Sequence, residues 1–314
     1  MPRGAMADQE FSSRAEAAGE LAQRVSKATV IRNREPLAKH TTLRVGGSAD
    51  LYVEPATDLD LAAVLAYCQE SSRPVFLLGR GSNLLVRDGG IRGAVICLSH
   101  THFSQIEVAD ERICCGAGAR LRAIAAEAKR HGLAGMEFLE GIPGSVGGAL
   151  RMNAGAMGSA MFNVVESVRL MSLDGQVRQR AAHELTATYR ECSTLKTHIA
   201  LSAVLRGHSD SRKAIELRMT EYSRKRWQSQ PAAPSAGCIF KNPGSIPAGK
   251  LIDELGLKGT RVGGAMVSAE HGNFIVNDGT ASARDILELI EVIKQRARTE
   301  RGIELQTEVE IVGE

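Results

Sequence analysis

The residues able to do chemistry cluster in a few places. From Gly135 to Gly158 the chain reads GMEFLEGIPGSVGGALRMNAGAMG, with Ser145, Asn153 and Pro143 among the glycines. Each glycine adds backbone entropy to be lost on folding, so neither an amphipathic helix nor an ordinary strand is expected there. A backbone without Cβ atoms can instead curl tightly, turn N–H groups toward an anion and approach it closely, which suits phosphates and flat cofactors. A second glycine-rich turn, Gly79-Arg80-Gly81-Ser82-Asn83, follows the buried-strand pattern VFLLG. Arg224-Lys225-Arg226 is a small basic cluster that could grip a phosphorylated substrate, although such runs are usually a solvated face. Cys238, inside PSAGCIFKNPG, and His271 are a thiol and an imidazole, the pair a thiol hydrolase would use.

Other chemistries are disfavoured. The dinucleotide fingerprint G-x-G-x-x-G fails at Leu84, and GAGARL over 116–121 fails again at a leucine. No P-loop follows either turn. Six cysteines without repeated C-x-x-C spacing indicate neither a zinc module nor a disulfide framework, so no metal is expected. The net charge of +3 does not demand nucleic acid, and 4% aromatic residues make a base-stacking surface a poor fit. No apolar run reaches the ~18 residues of a membrane span, and the charged first 28 residues lack a signal-peptide core. A reducing, cytoplasmic setting without membrane insertion is expected.

At 314 residues, 43% hydrophobic, the chain can hold two or three domains. Residues 1–24 suggest a helical extension around AEAAGELAQRV. HTTLRVGGSADLYVEP (40–55) reads as strand, turn, strand, from the alternation of Thr41, Leu43 and Val45. Asp58 is the expected cap of a helix leading to VFLLG, so a β–α–β unit occupies about 50–80. GAVICL and RICCGAG read as strands, with Cys114 and Cys115 facing opposite ways. LRAIAAEAKRHG is a helix stopped at Gly132. VVESVRLMSLDGQVRQR is a hairpin turning at Asp174-Gly175, and HIALSAVLRG is a strand. A boundary is expected near 210, where a helix ending before Pro231 begins. AGKLIDELG is a short helix, and His271 and Asn277 lie in a β segment. ARDILELIEVIKQRARTERG is a long amphipathic helix. The strand IELQTEVEIV sets Glu304, Glu308 and Glu310 opposite Leu305, Val309 and Ile311, and periodicity alone favours solvent for Glu308.

These segments together resemble the UDP-N-acetylenolpyruvoylglucosamine reductases, flavoenzymes of peptidoglycan precursor synthesis with a flavin domain of the vanillyl-alcohol oxidase type. The likeness covers about 37–314 and runs in order through HTTLRVGG, LGRGSNLLVRDGG, GIPGSVGGALRMNAGAMG, YRECS, PSAGCIFKNPG, AGKLID and GIELQTEVEIVG. One glycine-rich motif would be weak, whereas seven in order are specific. The compact length suggests the shorter subtype.

The resemblance implies an α+β fold: two FAD-binding subdomains (25–98 and 99–209) and a C-terminal α+β substrate domain (210–314). It implies noncovalent FAD held by Gly79, Gly81, Ser82, Asn83, Leu84, Gly141, Ile142, Gly144, Ser145, Gly147, Gly148, Asn153 and Gly155. It implies NADPH as reductant and UDP-N-acetylglucosamine enolpyruvate as substrate, with Tyr189, Arg226, Asn242 and His271 lining the sugar cleft, and a monomer. Arg190, Cys238 and Glu308 are the implied catalytic residues. Negative charge develops beside the substrate carboxylate, where an arginine can clamp and stabilise it. Glu308 would help only if it holds or shares a proton. The family usually has serine where Cys238 stands. A thiol, with an ordinary pKa of about 8.5, is intrinsically the better proton donor. The family often has an aromatic residue where Met157 stands. Competing readings are another FAD-dependent oxidase or dehydrogenase of this fold, the Cys238/His271 thiol hydrolase, and a non-catalytic flavin-binding module.

Overall fold

A computed structural model describes residues 17–314. The expected extension at 1–16 lies outside the described residues, and residues 17–22 are helical. Along the chain the principal strands are β1 (Val30–Pro36), β2 (Ser48–Glu54), β3 (Val75–Leu78), β4 (Leu84–Val86), β5 (Ile91–Cys97), β6 (Ile106–Ala109) and β7 (Arg112–Gly116). They continue with β8 (Val165–Ser172), β9 (Val177–Ala181), β10 (His198–Arg206), β11 (Ser235–Cys238), β12 (Arg261–Val262), β13 (Ala265–Val267), β14 (Phe274–Asn277) and β15 (Glu310–Val312). The helices are α1 (Asp58–Glu70), α2 (Leu121–Arg130), α3 (Val146–Arg151), α4 (Arg212–Ser229), α5 (Ala248–Glu254) and α6 (Ala283–Arg301). The content is α+β, in two compact units.

The first unit comprises residues up to 35, 49–79 and 92–223. One sheet has the order β1-β2-β5-β3, with β3 and β5 parallel, and α1 connects β2 to β3 as the β–α–β pattern requires. The cap of α1 is Thr57 rather than Asp58, because the Thr57 hydroxyl accepts from the Asp60 amide at 3.1 Å. The second sheet has the order β9-β8-β10-β7-β6. Its β8–β9 hairpin turns through Gly175 at φ +84°, the conformation for which Asp-Gly is suited. In β7, Cys115 is buried and Cys114 exposed, as alternation demands.

The glycine-dense stretch enters this core. Met136, Phe138, Leu139, Val146 and Leu150 are all buried. It also contains α3, which glycine content argued against. A Cβ on Gly147 would stand 3.2 Å from that of Ala117, so the missing side chain allows α3 to lie tightly against the chain leaving β7. Buried Glu137 accepts from the Gly135 amide at 2.8 Å and pairs with Arg218 of α4 at 2.8 Å, which also pairs with Asp210 at 2.7 Å.

The second unit gathers residues 36–48, 80–91 and 224–314. Its sheet runs β11-β14-β13-β12, and α6 buries Ile286, Leu289, Ile290 and Ile293. The N-terminus of α6 carries a capping box of Ser282 and Asp285. Asp88 adds a second, distant cap, accepting from the Ala283 and Arg284 amides at 2.9 Å each.

One expected strand is absent and another is shortened. Thr41, Leu43 and Val45 are buried in alternation, but Arg44 has φ +58° and no ladder forms over 41–45. The Thr42 and Gly47 amides bond instead to the Gly81 and Arg87 carbonyls. Of the closing strand only β15 is regular, pairing in parallel with β4. The part before it pairs irregularly, through a Phe240–Thr307 bridge and the Lys241 amide on the Gln306 carbonyl.

Candidate functional site

In the first unit the two glycine-rich segments meet. Gly79 follows β3, and a Cβ there would lie 3.1 Å from the Ser145 hydroxyl oxygen and 3.9 Å from Gly148 Cα. Ser145 precedes α3 and is buried, yet its side chain does not cap that helix. The Leu121 amide donates to the Gly144 carbonyl at 3.2 Å, while the Val146 and Gly147 amides donate to the Ala119 and Ala117 carbonyls. This stretch is therefore stitched to the β7–α2 connection. Gly79, Ser145 and Gly148 thus approach one another closely, and a single added side chain would crowd their junction.

Further along, Asn153 has φ +39°; its side chain donates to the Thr188 carbonyl at 3.0 Å and accepts from the Phe162 amide at 3.1 Å. Thr188 opens the tight turn Tyr189-Arg190 of a small ladder, Ala187↔Cys192 and Thr188↔Glu191. The Arg190 guanidinium stands over the Tyr189 ring, 5.0 Å from its centroid, and Tyr189 is exposed.

In the second unit the segments bearing Cys238 and Glu308 are neighbours. The Glu308 amide donates to the Ile239 carbonyl at 2.8 Å. Asn83 clamps the same stretch: its side chain donates to the Glu308 carbonyl at 3.0 Å and its carbonyl accepts from the Glu310 amide at 3.0 Å. Gly237, at φ +76°, would bring a Cβ within 3.9 Å of the Ser82 carbonyl. Gly81 is confined harder, since a Cβ would fall 2.3 Å from the His40 carbonyl oxygen. Leu84 belongs to β4 and is buried.

Electrostatics separate the cysteines. Burial pushes the Cys68 thiol up to about 11 and the Cys115 thiol up to about 12, which keeps both inert. Cys238 is half-buried near Arg226; burial lowers the Arg226 pKa and the neighbouring thiol partly offsets this. The basic cluster is thus divided, with Arg224 and Lys225 exposed and Arg226 half-buried beside Cys238. Asn242 caps α5, accepting from the Ala248 amide at 3.0 Å. His271 lies in the loop before β14 rather than in a strand. Its Nδ1 accepts from the Asn273 amide at 3.1 Å and its ring meets that of Phe274 edge-on, centroids 4.9 Å apart. Burial, then Lys258, lowers its pKa.

Sequence reasoning missed Asn273. It is buried and grips Phe240 at both ends, accepting from its amide at 2.9 Å and donating to its carbonyl at 2.8 Å, two residues from Cys238. Nothing in the local pattern HGNF announces this, because the partner is 33 residues away.

A family model described as the C-terminal domain of UDP-N-acetylenolpyruvoylglucosamine reductase matches residues 230–312, and one described as an FAD binding domain matches 49–180. A UDP-N-acetylenolpyruvoylglucosamine reductase of Heliobacterium modesticaldum is 44% identical over 283 residues, covering 89% of this chain and 90% of the relative. The chain belongs to the UDP-N-acetylenolpyruvoylglucosamine reductase family. A reductase of that name from Syntrophomonas wolfei is 40% identical over 286 residues, covering 90% and 95% of the two chains. The crystal structure of the Thermus caldophilus reductase superposes with a TM-score of 0.79 at 38% identity, over 91% of this chain and 99% of that one.

The FAD-binding match spans both Gly79 and the 141–155 stretch, and the residue types at their junction suit the cofactor. Bare backbone and one buried hydroxyl meet there, groups able to approach a phosphate closely. Gly79, Ser145 and Gly148 meet at this junction, whereas Gly147 serves the packing of α3 against Ala117. Of the implied catalytic residues, Cys238 and Glu308 belong to the second unit and Arg190 to the first. Among the described residues no helix is long and apolar enough to cross a membrane.

Proposed function

We infer that this chain is an FAD-dependent oxidoreductase that uses NADPH to reduce the enolpyruvyl group of UDP-N-acetylglucosamine enolpyruvate to the lactyl ether, a step of peptidoglycan precursor synthesis. Supporting this reading is the register of the second unit, which lays Glu308 against Ile239, next to Cys238, in a chain 38–44% identical to enzymes of that name.

Bound FAD supplies the hydride. Gly79, Ser145 and Gly148 would hold its pyrophosphate, and Gly141, Ile142, Gly144, Gly155, Gly81, Ser82 and Asn83 would serve the same cofactor. Arg190 clamps the substrate carboxylate with two N–H donors and faces the negative charge that grows on the adjacent carbon. Glu308 lowers the barrier in the same sense only where it shares a proton with that carboxylate. Cys238 then gives its proton to the carbon, and the nearby Arg226 guanidinium stabilises the thiolate left behind. Tyr189, Arg226, Asn242 and His271 contribute to holding the nucleotide sugar. The protein works as a cytoplasmic monomer.

The decisive experiment is a visible spectrum taken without oxygen. The purified protein is expected to be yellow, to bleach with NADPH, and to regain its colour on adding the enolpyruvyl sugar. A colourless protein with normal folding, or a bleached one that the sugar does not restore, refutes the assignment. The thiol-hydrolase alternative requires His271 as a base, but its Nδ1 is already taken by the Asn273 amide and its ring is packed on Phe274.

A further inference from the structure

The turn that carries Arg190 is held in an unfavourable shape. Tyr189 and Arg190 are the two loop residues between Thr188 and Glu191, and Arg190 has φ +59°. For a residue with a side chain that conformation costs about 1–2 kcal/mol, and it persists only where its surroundings enforce it.

Three neighbours do so. The Asn153 side-chain N–H donates to the Thr188 carbonyl at 3.0 Å, immediately before the turn. The same carboxamide accepts from the Phe162 amide at 3.1 Å, so its orientation is fixed from behind. Asn153 itself has φ +39°, a region asparagine tolerates better than most residues. Two residues on, a Cβ at Gly155 would stand 3.3 Å from Arg190 Nη1, so the guanidinium lies against bare backbone. The Tyr189 ring, 5.0 Å away, covers it as well.

We propose that Asn153 is a positioning residue for Arg190: its carboxamide ties Thr188, at the head of the Arg190 turn, to Phe162 and thereby aims the guanidinium. This rests on the reading of Arg190 as the carboxylate clamp. The requirement is for a donor at Nδ2. An aspartate is isosteric, keeps the acceptor for Phe162 and tolerates the same φ, but sets a carboxylate oxygen against the Thr188 carbonyl.

The test compares Asn153→Asp with the parent holoenzyme. Expected is recovery of colour by the enolpyruvyl sugar slowed about 10²-fold per bound flavin, the scale of a misplaced reacting group, and far more than any slowing of NADPH bleaching in the same preparation. A crystal structure of the variant should show Arg190 Nη1 moved away from Gly155. Combined with Arg190→Lys, which cannot clamp two oxygens in one plane, the two losses should fall well short of additive. If Asn153→Asp reoxidises at the parental rate, or sheds flavin and slows both half-reactions alike, the positioning role is wrong. Should the aspartate variant not fold, Asn153→Gly keeps the positive φ, removes both bonds and is judged by the same readings. Arg190→Lys alone reports on the underlying reading: unchanged reoxidation there refutes the clamp itself, and with it the inference, independently of Asn153.

Discussion

Replacing Gly79 by alanine adds one methyl group at the junction of β3 with the start of α3. Gly79 is not among the glycines with positive φ, so the backbone accepts a side chain. The new Cβ meets Ser145 Oγ at 3.1 Å and Gly148 Cα at 3.9 Å. The first contact is tight, but it is with the rotatable tip of a short side chain. Loss of glycine freedom in the unfolded chain favours the variant by about 0.4–1 kcal/mol, which offsets the crowding. Net stability of the flavin-free protein should stay within about 1 kcal/mol of the parent. Flavin affinity should not. Displacing a phosphate from one charge-assisted hydrogen bond costs about 1.5–3 kcal/mol, or roughly ten- to hundred-fold in Kd. The control is Gly81→Ala. There φ is +60° and the Cβ would fall 2.3 Å from the His40 carbonyl oxygen and 2.7 Å from Thr41 Cα, backbone atoms that cannot swing aside. That variant should lose several kcal/mol of folding stability, on the order of the largest single-residue effects. Urea unfolding of the flavin-free proteins and titration with FAD, followed by quenching of flavin fluorescence, separate the two effects. An unstable apoprotein in Gly79→Ala, or an unaltered Kd, would show that the junction does not hold the cofactor.

Removing the distant cap of α6 by Asp88→Ala should cost about 2 kcal/mol, since two amides and a helix N-terminus lose their acceptor. Asp88→Asn should cost about half of that, and equal urea midpoints for Asp88→Ala and the parent would rule out the cap. Cys238→Ser should keep much of the activity, whereas Cys238→Ala should slow reoxidation by the sugar about 10²–10⁴-fold with NADPH reduction intact. Saturating sugar should protect the parent thiol from alkylation, and unprotected labelling would count against its place in the site. Burial holds the folded His271 pKa below its ordinary value, so the folded state binds fewer protons. Its contribution to stability should therefore be complete above about pH 6.5 and fall away as the pH drops below that, and His271→Gln should flatten this part of the urea-midpoint profile.

Local pattern carried much of the architecture. The Asp174-Gly175 hairpin, α2 with Gly132 behind it, and α6 with its apolar face all follow from short-range spacing, because their stabilising contacts are short-range too. Residues 41–45 and 303–309 have the alternation of strands but not their ladders, since the Thr42 amide bonds to the Gly81 carbonyl and 306–309 bond irregularly to 239–241. The glycine stretch looked hostile to helix, and α3 forms there because the space glycine leaves is filled by Ala117. At the site, motif order pointed to Cys238 and Glu308, but their adjacency comes from the Ile239 carbonyl and the Asn83 clamp, contacts spanning up to 225 residues. Asn242 is legible as a polar residue near the motif, yet its helix-capping bond depends on a turn whose shape local composition does not specify.

The pairing of β15 with β4 joins Glu310 to Leu84 in one ladder. A ribosome adding about 5–20 residues per second needs roughly ten to forty-five seconds to travel from one to the other. Throughout that interval the stretch containing Leu85, which ends with no exposed surface at all, waits for its neighbour. The first unit has no such delay beyond residue 223 and can close while the rest is being made. Nascent chains halted before residue 304 should therefore be protease-resistant over the first unit and cut readily at 80–91, the stretch whose partner strand is made last.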